Sequence, residues 1–344
     1  TWLAWPHERT DWPGKFAPIP WIYADIVRHL ARVERVGIMV QDSDERAQVQ
    51  RILEKTGADL ASVDLMIVPT NRGWTRDFGP IFVKQFRESV KNKANHIALT
   101  NWHFNAWAKY DDWKKDDGAT SRLSPKLKLP SWEPHHNGRR VVLEGGSIEV
   151  NGEGTLITTE ECLQSKTQER NPGFTRADYG TIFRDYFGAT NVLWLGNGIA
   201  GDDTHGHVDD LSRFVDPSTV VTIVEENKSD ANYSALQENL TLLQSMKDQD
   251  GKPLRVETLP MPAPVFFNKQ RLPASYANFY IANKLVLVPV FNDPNDRVAL
   301  NVLHKLLPGR EIVPIYCRDL VLGLGTIHCM TQQLPAGNSA SHGT

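Results

Sequence analysis

The chain has 344 residues, with 38 Lys and Arg against 41 Asp and Glu and a formal net charge of -3. That balance excludes a basic nucleic-acid footprint, and no continuous apolar run reaches the roughly 20 residues that a membrane-spanning helix needs. The three cysteines, Cys162, Cys317 and Cys329, are spaced like neither a disulfide framework nor a zinc ribbon, so free thiols in a reducing compartment, the cytoplasm, are expected.

In chain order, Thr1 to Pro20 carries Trp2, Trp5, Trp12 and several prolines and reads as an extended segment laid across a surface. Apolar residues at helical spacing predict a helix over Trp21 to Val33, followed by a strand from Val36 to Val40. Ser43 is the expected cap of a second helix running through Lys55 and ended by Gly57, before a strand from Val63 to Val68. Asn71 to Pro80 is a turn-rich loop in which Arg72, Arg76 and Asp77 stand beside Trp74. It is either a surface ion pair or a carboxylate held against an aromatic wall. Glu88 to Pro134 is irregular, with Trp102, Trp107, Trp113 and Trp132 among Lys and Asp, and is read as packing or a lid.

From Arg139 a repeat emerges. Strands over Val141 to Val150 and Thr155 to Thr159, a helix near Thr175 to Phe187 and a strand from Asn191 to Leu195 form one unit. The order recurs as His207 to Val215, Val220 to Val224, Asp230 to Met246 and Leu254 to Leu259. It recurs again as Tyr276 to Ile281, Leu285 to Val290, Pro294 to Leu306 and Glu311 to Ile315. Two strands, a helix and a strand at a period of about sixty residues predict an α/β repeat protein whose units close on one another and hide their sheet edges. The strand-like run Leu320 to Leu322 has no helix after it and is expected to complete a unit with the N-terminal segment. Residues 1–334 are expected to form a single catalytic domain, with 335–344 a disordered tail. Pseudo-symmetry would bring the loops at 74–77, 144–146, 201–210 and 325–329 to one end.

Gly201 to Asp210, Gly-Asp-Asp-Thr-His-Gly-His-Val-Asp-Asp, is the densest ionisable cluster. On a strand from Gly206, His207 and Asp209 would project from one face toward a common substrate. The same residues also fit a solvated polar loop, or a metallo-hydrolase site built on His205, His207 and the aspartates, which echoes a His-x-His-x-Asp ligand set. Cys162 and Cys317 read as inert buried thiols. Cys329 follows a glycine-rich approach beside His328, a setting that suits a nucleophile.

Five stretches now stand in order: Trp-Thr-Arg-Asp-Phe-Gly-Pro (74–80), Glu-Gly-Gly-Ser (144–147), Gly-Asp-Asp-Thr-His-Gly-His-Val-Asp (201–209), Ser-Tyr-Ala-Asn-Phe-Tyr-Ile-Ala-Asn (275–283) and Ile-His-Cys-Met-Thr-Gln-Gln (327–333). Together they resemble the agmatine deiminase and bacterial-type peptidylarginine deiminase family of guanidine-modifying enzymes over nearly the whole chain. The resemblance implies a five-bladed, pseudo-symmetric α/β propeller of ββαβ units, the pentein fold. It implies Cys329 as nucleophile, His207 as general acid/base, Asp77 and Asp209 as carboxylates on the guanidinium, and Glu144 as a further active-site acid. Trp74, Asp77, Asp209, Asn278 and Gly325 are the implied substrate-binding residues. The implied substrate is a small guanidinium compound, agmatine or else peptidylarginine, with no metal or organic cofactor, no nucleic acid or membrane partner, and a homodimer as the default assembly. Leu324-Gly325-Thr326 departs from the family's usual glycine-rich approach to the cysteine. Asp202, Asp203 and Asp210 beside the clamp suggest an acidic mouth.

Overall fold

The computed structural model describes residues 1–85 and 96–336; the expected disorder of the tail concerns residues that lie, from 337 on, outside the described ones. Among the described residues, five three-stranded sheets follow one another along the chain, with two small hairpins between them. In four of the sheets the first two strands pair antiparallel and the third adds parallel. They comprise Ile81–Gln85, His96–Thr100 and Ser131–Trp132; Glu149–Val150, Thr155–Thr159 and Asn191–Leu195; Ser212–Asp216, Thr219–Val224 and Arg255–Pro260; and Tyr280–Ile281, Leu285–Val290 and Glu311–Tyr316. A helix precedes each third strand, because only a crossover returns the chain for parallel pairing. These are Ala119–Leu127, Arg176–Phe187, Tyr233–Ser245 and Pro294–Leu306.

The remaining sheet is all parallel, built from Trp2–Ala4, Val36–Val40 and Val63–Ile67. Its antiparallel partner is a single bridge in which Trp2 and Gln332 exchange backbone hydrogen bonds of 2.8 and 2.9 Å. The C-terminal segment therefore completes the N-terminal unit, as the repeat predicts, and the two ends of the chain are tied together. Middle strands such as Val36–Val40 and Thr155–Thr159 are buried throughout, which is why they read as apolar and β-branched runs without alternation.

Several boundaries differ from the sequence expectation for local reasons. Asp42, not Ser43, caps the second helix, accepting the amides of Asp44 and Glu45. Thr1 to Pro20 is extended only over its first residues, turning at Arg9–Asp11 and entering a helix at Ile19, and it is not superficial: Trp2, Trp5 and Trp12 are buried, and the Trp12 indole donates to the Leu320 carbonyl at 2.9 Å. The strands expected from Val141, His207 and Tyr276 begin later, at Glu149, Ser212 and Tyr280, because turns at Gly145–Ser147 and Val208–Asp210 and an irregular run through Asn278 precede them. Leu320–Gly323 is a 3-10 helix rather than a strand. The stretch read as irregular holds the Ala119–Leu127 helix. Each displaced start is a place where backbone leaves the ladder to present side chains to the middle of the molecule.

Candidate active site

The loops at the starts of the units meet. Thr75–Phe78 is one helical turn that carries Asp77 into the interior, where Trp107 donates from Nε1 at 3.0 Å and the Gly146 amide at 3.1 Å. Gly146 has to be glycine: a Cβ there would fall 2.5 Å from His207 Nδ1 and 2.9 Å from Asp77 Oδ1. His207 lies just before a 3-10 turn rather than on a strand, so its convergence with Asp209 comes from the turn and not from strand alternation.

The imidazole of His207 is enclosed by three carboxylates. Nδ1 lies 3.7 Å from Asp77 and 4.0 Å from Asp209, and Nε2 lies 3.7 Å from Glu144. Burial disfavours a charge on this ring, but Asp77, the Cys162 thiol and Glu144 outweigh it and hold His207 well above its ordinary range. Glu144 is itself buried, which opposes ionisation. Arg170, donating from Nε at 3.0 Å, and His207 reverse that and bring Glu144 down to about 2. Burial raises Asp77, against the pull of His207, and takes Asp209 up to about 7.

On the other side stands Cys329. Asn278 donates to its sulfur at 3.1 Å and to Asp210 at 2.9 Å, while the Asn278 side-chain oxygen accepts from Thr326 Oγ1 at 2.8 Å and the His328 amide at 2.9 Å. His328 Nδ1 pairs with Asp209 Oδ2 at 2.6 Å, and the sulfur lies 3.7 Å from the same oxygen. Burial, with help from Arg213, Arg76 and His207, keeps His328 neutral, so its Nδ1–H donates to Asp209. The Cys329 thiol is pushed well above its usual range by burial and by Asp209, Asp210 and Asp77.

A cavity of about 380 Å³ is lined by Asp77 and Cys329 together with Trp74, Trp107, Leu324 and Gly325, and also by Asp11, Arg72, Tyr110 and Asp203. A side chain at 325 would begin 3.0 Å from the Trp74 ring and 3.2 Å from the Cys329 sulfur, which closes the gap between them. Leu324 takes a left-handed backbone (φ 68°) without being glycine.

The chain matches the model of the Porphyromonas-type peptidyl-arginine deiminase family over residues 1–335. It belongs to that family. The agmatine deiminase of Pseudomonas syringae pv. syringae is 35% identical, the match covering 97% of this chain and 92% of the relative. That of Pseudomonas savastanoi pv. phaseolicola is 34% identical over 98% and 93%. The solved agmatine deiminase of Enterococcus faecalis superposes with a TM-score of 0.86 at 30% identity, covering 97% of this chain and 92% of that one. The fold is the α/β pentein fold, and the protein is a hydrolytic deiminase acting on a guanidinium group.

Within this deiminase the expected residues fall into two groups. Trp74, Asp77, Gly325 and Cys329 face the cavity. His207, Asp209 and Glu144 are buried directly behind them. Asn278, expected to bind substrate, is fully buried, as Asp209 is, and its side chain donates to the Cys329 sulfur. His205 turns away to Glu161 and Ser165, which separates it from His207 and removes the ligand set expected of a metallo-hydrolase. Of the aspartates expected at the mouth, Asp203 lines the cavity and is paired with Lys109, whereas Asp202 accepts the amides of Thr204, Gly206 and His207 and Asp210 is buried on Asn278.

Four contributors were not visible in the sequence. Arg170 sits in a polar stretch with no pattern. Trp107 is aimed at Asp77 by three consecutive positive-φ residues, Ala106 to Ala108. Asp11, on the N-terminal segment, accepts from the Trp74 indole at 3.1 Å. Cys162, read as inert, lies beside His207 and Glu144.

Proposed function

We propose that the protein is an agmatine deiminase, converting agmatine and water to N-carbamoylputrescine and ammonia in the cytoplasm. The observation that carries this reading is the cavity floor. Asp77 and Cys329 face the cavity together, and behind them Asp209 keeps one oxygen, Oδ1, without any donor. A planar guanidinium seated on Asp77 and Asp209 would supply that donor and place its central carbon over the sulfur.

In this reading the guanidinium's positive charge offsets the carboxylates that hold the Cys329 thiol protonated, so binding favours the thiolate, and the thiol proton is released to solvent, where the ammonia later takes it up as ammonium. The thiolate attacks the central carbon, and His207, held protonated, gives its proton to the departing nitrogen. Ammonia leaves and an amidino-thioether remains on Cys329. A water molecule, giving a proton to the now neutral His207, attacks the same carbon. The carbon–sulfur bond then breaks to release the ureido product and the cysteine. Atoms balance with water as the sole co-reactant.

Among the residues lining the cavity, Asp11 is paired with Arg72 and Asp203 with Lys109, and Arg72 is held by Asp112 as well. The carboxylate of free arginine would have to compete with Asp11 and Asp112 for Arg72, whereas agmatine carries no carboxylate and needs no such partner. Specificity constants for agmatine, arginine and an arginyl peptide, at one pH and ionic strength, test this. Agmatine should lead by about a hundredfold or more, and arginine or the peptide matching it would sink the substrate assignment while leaving the deiminase chemistry.

A further inference from the structure

We propose that Glu144, Cys162 and His207 form an inhibitory site for a thiophilic divalent cation such as Zn²⁺. A carboxylate oxygen, a thiol sulfur and an imidazole nitrogen from these three buried residues all lie within 4.8 Å of one another. Tetrahedral zinc with N, S and O ligands at about 2.0–2.3 Å spaces its donors roughly 3.3–3.8 Å apart, and Glu144 Oε2 already lies 3.7 Å from His207 Nε2. Neither of those two atoms has a hydrogen-bond partner among the described residues, although both residues are completely buried. Arg170 occupies the other Glu144 oxygen and so fixes the carboxylate without using the atom that would coordinate.

Carboxylate, imidazole and thiolate are a zinc donor set, and three protein ligands leave a fourth position for water. In the only other such cluster among the described residues, Asp209, Asp210 and Cys329, one oxygen of each carboxylate is also without a donor, but the sulfur is already engaged. Asn278 donates both to its sulfur and to Asp210, and His328 holds Asp209 Oδ2. A cation on His207 would displace its proton and remove the group that serves both proton transfers, so turnover stops although Cys329 stays free.

Cobalt titration tests the site without relying on turnover, whatever the substrate. In Cys329→Ser, Co²⁺ should bind once per chain with a thiolate-to-cobalt charge-transfer band in the near ultraviolet, and Zn²⁺ should displace it. The band should persist in Cys317→Ser/Cys329→Ser, where Cys162 is the one remaining thiol, and vanish in Cys162→Ser/Cys329→Ser. With Cys329 intact, Cys162→Ser should raise the Zn²⁺ concentration that halves turnover by at least about tenfold. A missing band in Cys317→Ser/Cys329→Ser overturns the proposal, even if the Cys162 variants fail to fold. So does zinc inhibition undiminished in Cys162→Ser.

Discussion

The two sides of the site are held in opposite ways. Around the sulfur, neutral groups make short contacts: both ends of the Asn278 amide are used, and a neutral His328 pins Asp209 at 2.6 Å. Around His207, charges stand at 3.7 to 4.0 Å and neither ring nitrogen makes a hydrogen bond. A nucleophile works only if it is aimed, whereas a group that protonates a leaving nitrogen and then receives a proton from water needs charge stabilisation with room to turn. On the proposed roles, the sulfur side is therefore built in advance, and the imidazole side is left for the substrate to complete.

The largest effect that this contrast predicts is at the sulfur. Cys329→Ser should lower kcat by at least about ten-thousandfold while calorimetry still detects agmatine binding, since Asp77 and Asp209 remain. Turnover near the wild-type rate would remove the nucleophile and with it the contrast.

Next comes the ionic side. Arg170→Met leaves Glu144 buried without its cation and should cost about 3–5 kcal/mol of stability, read as a fall in melting temperature. The pH dependence should invert as well. In the wild type Glu144 is depressed to about 2, so its contribution is full above the ordinary carboxylate range and is lost as pH falls toward 2. In the variant the burial that Arg170 opposes drives Glu144 upward, so the deficit should be larger at pH 7 than at pH 4. A deficit independent of pH would mean that Arg170 is mere packing.

A smaller effect is expected from Asn278→Ala, which removes the donor to the sulfur and the acceptor that organises residues 326–328. A fall in kcat of about a hundredfold with KM little changed fits a residue that aims the nucleophile. A KM effect alone would return Asn278 to the substrate-binding role that its motif suggested.

These residues also mark what could be read without coordinates. The repeat was legible because its middle strands are apolar runs and its helices follow turn signals, and Asp77, Glu144, His207, Asp209 and Cys329 were legible through five ordered motifs. The partners were not. Arg170 lies 26 residues from Glu144, and nothing local announces a contact made by the closing of units. The strand starts were misjudged because Val208 and Leu211 are as buried as strand residues while the backbone between them is a 3-10 turn.

The smallest predicted effect sharpens the boundary between wall and clamp. Trp107 lines the cavity and packs edge-on against Phe104 with ring centroids 5.2 Å apart, so it could serve by shape alone. Its indole N–H also donates to Asp77, which accepts a further hydrogen bond from the Gly146 amide. Trp107→Phe keeps an aromatic ring and removes the donor. A hydrogen bond to a charged group is worth about 1.5–3 kcal/mol, so KM for agmatine should rise roughly tenfold or more. The sign of the accompanying pH shift separates the two roles. Burial already raises Asp77, and the indole is one of the groups opposing that rise. Without the indole Asp77 holds its proton to higher pH, and the acidic limb of kcat/KM should move upward. A raised KM with the limb unmoved would assign Trp107 to the wall, with Gly146 and His207 sufficient to keep the carboxylate ionised.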